Sequence, residues 1–90
     1  MMATVYVVEV DEGKVEATRR GADWWLLHRQ RFEASGKLRE VVPACMVGGV
    51  VELGPYERDD AEFMAEHMVN VGGMPDSAVK AKAKRVREPH

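Results

Sequence analysis

The stretch Val50–Gly73, VVELGPYERDDAEFMAEHMVNVGG, constrains the fold more tightly than any other part of the chain. Ala61, Met64, Ala65, Met68 and Val71 recur at steps of three and four residues, the spacing that lines one side of an α-helix. Glu62, Glu66 and Asn70 fall away from that stripe. Asp59 followed by Glu62 has the spacing of a capping box, with Asp where Ser or Thr is usual. Asp59, Asp60 and Glu62 also place negative charge at the positive end of the helix dipole, worth about 0.3–1 kcal/mol each. Gly72 is placed to terminate the helix in a left-handed conformation, Gly73 loosens the exit, and Pro75 prevents continuation. The spacing therefore predicts a helix over 59–71. Ahead of it come a strand, Val50 to Leu53, and a turn at Gly54-Pro55-Tyr56. An amphipathic helix must cover another layer, and the rest of the chain reads as sheet.

Thr4 to Val10, TVYVVEV, is β-branched and aromatic with apolar residues on both faces, the pattern of an interior strand. Asp11-Glu12-Gly13-Lys14 reads as a turn into a return strand over Val15–Arg20. The segment Trp24 to Ala34, WWLLHRQRFEA, has two readings. In one, Asp23 caps a helix that stops at Gly36. In the other, Trp24–Ala34 and Lys37–Val42 form a hairpin about Ser35-Gly36, with Phe32 opposite Arg39 and Arg31 opposite Glu40. The helix would mix Trp24 and Leu27 with His28 and Arg31 on one face, so the hairpin is preferred and the helix stays open. Pro43 marks a strand end, and Ala44–Val47 continues as a short strand before Gly48-Gly49. Ser77 to Val86 alternates Val79, Ala81 and Ala83 with Lys80, Lys82 and Lys84, a last strand with a lysine-lined face of the kind that protects a sheet edge. The expected fold is α+β: an antiparallel sheet of four to six strands with one main helix, 59–71, packed on one face.

Ninety residues make a single small domain, 1–90, with 87–90 a frayed tail. A chain of this size buries about 60–65% of its unfolded surface, which suits one core better than a core plus a deep enclosed active site. Thirteen basic and fifteen acidic residues give a net charge of −2, which matches neither an acidic nucleic-acid mimic nor a uniformly basic nucleic-acid binder. The one cysteine, Cys45, allows no intrachain disulfide and reads as a small buried hydrophobe. No signal peptide and no span of about 20 apolar residues is present, so a cytoplasmic location without membrane association is expected.

His28, His67 and His90 have no metal-ligand spacing and none adjoins a nucleophile in sequence, and the glycine pairs lack a phosphate-loop pattern. The acids of 59–66 are explained by capping and solvation. No catalytic, cofactor or metal site is expected, and the chain reads as non-enzymatic. Two features remain. Phe63 lies about 160–200° around the helix from Ala61, among Asp59, Glu66, His67 and Asn70. Either the helix entry wraps over it, with Tyr56 or a Trp, or it is an exposed anchor for a partner. Trp25 raises the same question, because Trp24 and Trp25 cannot both face the core from a flat strand. Trp25, Phe63 and His67 are the candidate protein-binding residues, for a partner protein or for a second copy in a homodimer. The alternative is a nucleic-acid-binding sheet, with Arg29, Arg31, Lys80, Lys82, Lys84 and Arg85 as a phosphate-binding stripe.

Val50–Val86, an apolar strand, GPY, an acid-started helix, a Gly stop and a final strand, resembles the second half of the SPOR repeat family. That resemblance implies a ferredoxin-like fold and binding of peptidoglycan glycan. The whole chain is also similar to short proteins of GC-rich bacteria and their phages that share the GPF/Y-plus-helix ending. What this second likeness implies is an accessory role, including inhibition of a host protein by direct binding.

Overall fold

Val8 and Val10, in the middle of the first strand, are sealed on both flanks and above, and the sheet is assembled around them. The computed structural model describes residues 2–42 and 48–87. Along the chain run β1 (Met2–Asp11), α1 (Glu12–Val15), α2 (Arg19–Ala34), β2 (Leu38–Val42), β3 (Val50–Tyr56), α3 (Arg58–Asn70), a 3-10 turn (Asp76–Ala78) and β4 (Val79–Arg87). The four strands form one antiparallel sheet in the order β2-β3-β1-β4, so β1 is interior and β2 and β4 are edges. With two helical crossovers this is the split βαβ arrangement of ferredoxin-like sheets. The fold class is α+β. Cys45, Pro43, the strand expected over Ala44–Val47, His90 and most of the expected tail lie outside the described residues.

Register explains the core. Val10 pairs with Val79 on one side and Val51 on the other, and Val8 pairs with Ala81 and Leu53. Side chains alternate along a strand, so these pairs share one face. They pack with Val15, Trp25, Ala61, Met68, Met74 and Ala78 in a single buried cluster.

α3 matches its expected span to within a residue at each end. Ala61 and Met68 are fully buried, and Met64 and Ala65 half-buried, but Val71 is exposed. The expected capping box is absent. Glu57 is the N-cap and makes no side-chain bond, while Glu62 accepts from Arg58 Nε at 3.2 Å. At the other end Gly73 (φ +75), not Gly72, takes the left-handed conformation. Gly72 is required for closeness: a Cβ there would lie 2.4 Å from the Met68 carbonyl oxygen and 3.0 Å from Trp24 Cδ2.

The first half of the chain departs from expectation. Residues 12–15 begin no return strand: the Asp11 carboxylate accepts from Lys14 N at 3.2 Å and caps the one-turn helix α1, which drives Val15 into the core. Residues 19–34 are helical, so the preferred hairpin is overturned, along with the opposition of Phe32 to Arg39 and Arg31 to Glu40. Thr18, not Asp23, is the cap, with its Oγ1 accepting from Gly21 N at 3.1 Å. β2 instead pairs with β3, placing Leu38 opposite Leu53 and Arg39 opposite Glu52. The inward side of α2 carries Gly21, Trp25, Arg29 and Phe32, spaced by four, four and three residues. Only two of those four are apolar, so a hydropathy pattern does not reveal the stripe. Gly21 belongs there because a Cβ would stand 2.6 Å from Thr18 Oγ1 and 3.1 Å from the Gly73 carbonyl oxygen.

Candidate functional site

Both long helices lie on the same side of the sheet, and their outward ridges meet in a seam. From α2 the seam receives Trp24 and His28, four residues apart and therefore stacked one turn above the other. From α3 it receives Phe63 and His67 at the same spacing. The rings form a continuous row. Trp24 stacks on His28 with centroids 4.0 Å apart, meets His67 edge-on at 6.2 Å, and His67 stacks on Phe63 at 5.8 Å. Phe63 is 68% exposed, so the wrapping by Tyr56 or a Trp does not occur. Leu27 and Val71, each adjacent to the row on its own helix, are exposed as well. Phe63, His67, Glu66, Asn70 and Val71 frame a small depression beside the row. Glu66 and Asp59 border the α3 side, and Arg31 borders the α2 side.

Trp25 is the reverse of Phe63. It is 5% exposed, packs near Phe32 at 6.1 Å between centroids, and its indole N–H donates to Glu12 Oε2 at 2.7 Å. The expectation of an exposed Trp25 is overturned because the segment is a helix: residues 24 and 25 are then about 100° apart, not on opposite faces. Sequence reasoning missed Trp24 and His28 as members of the row. Their i,i+4 relation to each other appears only once the segment is read as a helix.

The basic residues are not gathered on one surface. Lys80, Lys82 and Lys84 share the sheet face away from the helices, while Arg85 alternates to the helix side. Lys82 pairs with Glu9 at 2.6 Å and Lys84 with Glu52 at 2.7 Å. The Glu9 hydrogen bond raises the Lys82 pKa above the ordinary lysine range. Arg29 and Arg31 lie on α2, across the sheet from those lysines. Arg29 is bound to Glu12 at 2.7 Å, Glu33 at 2.9 Å and Glu40 at 3.7 Å, and its pKa is raised, chiefly by the Glu12 hydrogen bond.

No family model, curated protein or solved structure matches this chain. The seam must therefore be read from its own chemistry. Among the described residues no cluster of three or more His, Cys, Asp or Glu side chains could hold a metal ion, and no helix is long and apolar enough to cross a membrane.

Proposed function

We propose that the chain is a small non-enzymatic protein-binding module that uses the α2–α3 seam as its contact surface, with Phe63 as the anchor and His67, Trp24, Leu27 and Val71 around it. One observation carries this reading: a contiguous row of rings runs from half-buried Trp24, His28 and His67 out to Phe63, which is 68% exposed, on a molecule that buries its other tryptophan. Single exposed apolar residues are ordinary on any protein, whereas a contiguous apolar surface with a charged rim is characteristic of an interaction site. A handful of residues, Trp prominent among them, supply most of the energy in many interfaces. An accessory or inhibitory role by direct binding to another protein fits this surface, and so does pairing with a second copy of the chain.

The nucleic-acid reading is weaker on physical grounds. Two of the three aligned lysines are occupied by carboxylates, and the arginines expected to join them are on the far side of the sheet.

The reading is tested by placing a photo-crosslinking side chain at position 63 and, as a control, at Lys14, which is exposed elsewhere. Position 63 is expected to give a discrete protein adduct in lysate of the native host, displaced by excess wild-type protein and not by Phe63→Glu. The same irradiation of the purified chain, with sedimentation at several concentrations, separates a second copy from a different partner. Identical adducts from both positions would remove the seam as the contact surface.

A further inference from the structure

The sheet face turned away from the helices holds a hollow that the seam does not use. Its apolar walls are Val5 and Val7 of β1, Val86 of β4 and Pro55 at the end of β3, and it measures about 180 Å³. Strand alternation brings Val5 beside Lys84 and Val7 beside Lys82, so at the hollow apolar β1 residues lie next to β4 cations. At the hollow sits Glu52, whose side chain is only 8% exposed. Lys84 Nζ lies 2.7 Å from Glu52 Oε2, and Arg39 Nη2 lies 3.6 Å from the same oxygen.

Two cations against one carboxylate leave one positive charge at an apolar depression. The fold itself does not require this arrangement, since a buried ion pair is rarely more stabilising than apolar residues of the same volume. Lys84 alone satisfies Glu52 at hydrogen-bond distance. Arg39, on the edge strand β2, is too far away for a hydrogen bond, and its side chain is 67% exposed. Its planar fork of donors therefore stands beside Glu52 without being consumed by it. A guanidinium of this kind is suited to a carboxylate, which it can bind through two parallel hydrogen bonds. A few convergent polar groups over apolar walls is also the usual composition of a small-molecule site.

We propose that this hollow binds a small apolar monocarboxylate, its carboxylate on Arg39 with support from Lys84 and its hydrocarbon part against Val5, Val7, Val86 and Pro55. The volume admits a single aromatic ring or a short branched chain. The site lies across the sheet from the seam, so it stands or falls independently of the protein-binding reading.

The test is a titration of the full ¹⁵N-labelled chain with benzoate, followed by NMR, with benzamide as a neutral analogue of the same shape. For a ligand of this size a Kd on the order of 1 mM is expected. Saturable shifts are expected at the amides of residues 5, 7, 54 and 86, with benzamide at least tenfold weaker. Arg39→Gln is expected to weaken benzoate about tenfold without altering the remainder of the spectrum, because Arg39 is exposed and its contact with Glu52 is loose. Val86→Glu, which places a negative charge in the wall, abolishes binding while leaving Arg39 in place. The proposal is overturned if benzoate does not saturate at ten times that concentration, if benzamide binds equally well, if the shifts fall on the helices, or if both variants titrate like the wild type.

Discussion

α2 and α3 occupy equivalent places in the two halves of the fold, yet they are attached to the sheet by different physics. α3 is held by its small and apolar side chains: Ala61 and Met68 are fully buried above Val8, Leu53 and their neighbours, and its N-terminus has no capping side chain. α2 is held by one fully packed amphipathic ring, with Trp24 and Phe32 half-buried beside it, and by a polar clamp. Trp25 fills the core while its N–H reaches Glu12, and the same Glu12 oxygen accepts from Arg29. α2 also has the cap that α3 lacks. A helix can be anchored by area, or by fewer contacts that are directional. Both helices nevertheless leave large apolar residues outward, Leu26 and Leu27 on α2 and Phe63 on α3.

The largest test of this contrast removes each anchor in turn. Trp25→Ala is expected to cost about 3–5 kcal/mol and Met68→Ala about 2–5 kcal/mol in denaturant-monitored stability. Trp25→Phe then separates the two functions of the ring. It keeps most of the area but leaves Glu12 without one donor, for a loss of about 1–3 kcal/mol. If Trp25→Phe is neutral, the polar clamp is incidental and α2 is held by area as α3 is.

The caps provide a second, smaller test with opposite signs. Thr18→Ala is expected to destabilise by about 1 kcal/mol, because Gly21 N loses its acceptor and the Thr18 hydroxyl its bond to the Gly73 carbonyl at 2.9 Å. Glu57→Ser should stabilise by about 0.5–1 kcal/mol, since α3 has an unfilled cap position. Thermal melts of both variants measure this directly, and equal signs would contradict the assignment.

The smallest effect concerns Tyr56, at the entry to α3. Burial, assisted by the nearby Asp60, raises its phenol pKa above the ordinary value near 10. In the unfolded chain that phenol releases its proton first, so the native state binds more protons and stability falls as pH climbs past about 10. The urea midpoint should therefore drop between pH 9 and pH 11 by more in the wild type than in Tyr56→Phe. Matching drops would show that Tyr56 is not the group responsible.

How much of this was legible in the sequence follows from the same contrast. α3 was readable because its contacts are apolar and periodic, and β1 and β4 because their alternation reports two faces. α2 was not, because its inward stripe of Gly21, Trp25, Arg29 and Phe32 is half composed of residues that hydropathy counts as outward. The information was present in other forms. Thr18 stands three residues ahead of Gly21, and Trp25, Arg29 and Phe32 keep helical spacing, but each means something only with a partner far along the chain, such as Gly73 or Glu12. Phe63 was identified as off the stripe, and the structure places it in the open. Trp25 was expected at the surface, and the helix turned it inward. The seam as a whole is hidden from the sequence, since half of it belongs to the segment where the pattern prefers a hairpin and leaves the helix open.

One end of that seam is fastened. Thr18 and Arg20 both donate to backbone carbonyls just past α3, those of Gly73 and Val71, each at 2.9 Å, and Gly21 lets the two segments approach without a side chain between them. The helix pair therefore resembles a book bound along a single edge. Polar bonds fix the pair at the Gly73 end, and toward Phe63 the two helices meet through the rings of Trp24 and His67. Amide exchange should record this fastening as protection at Gly21 that Thr18→Ala removes.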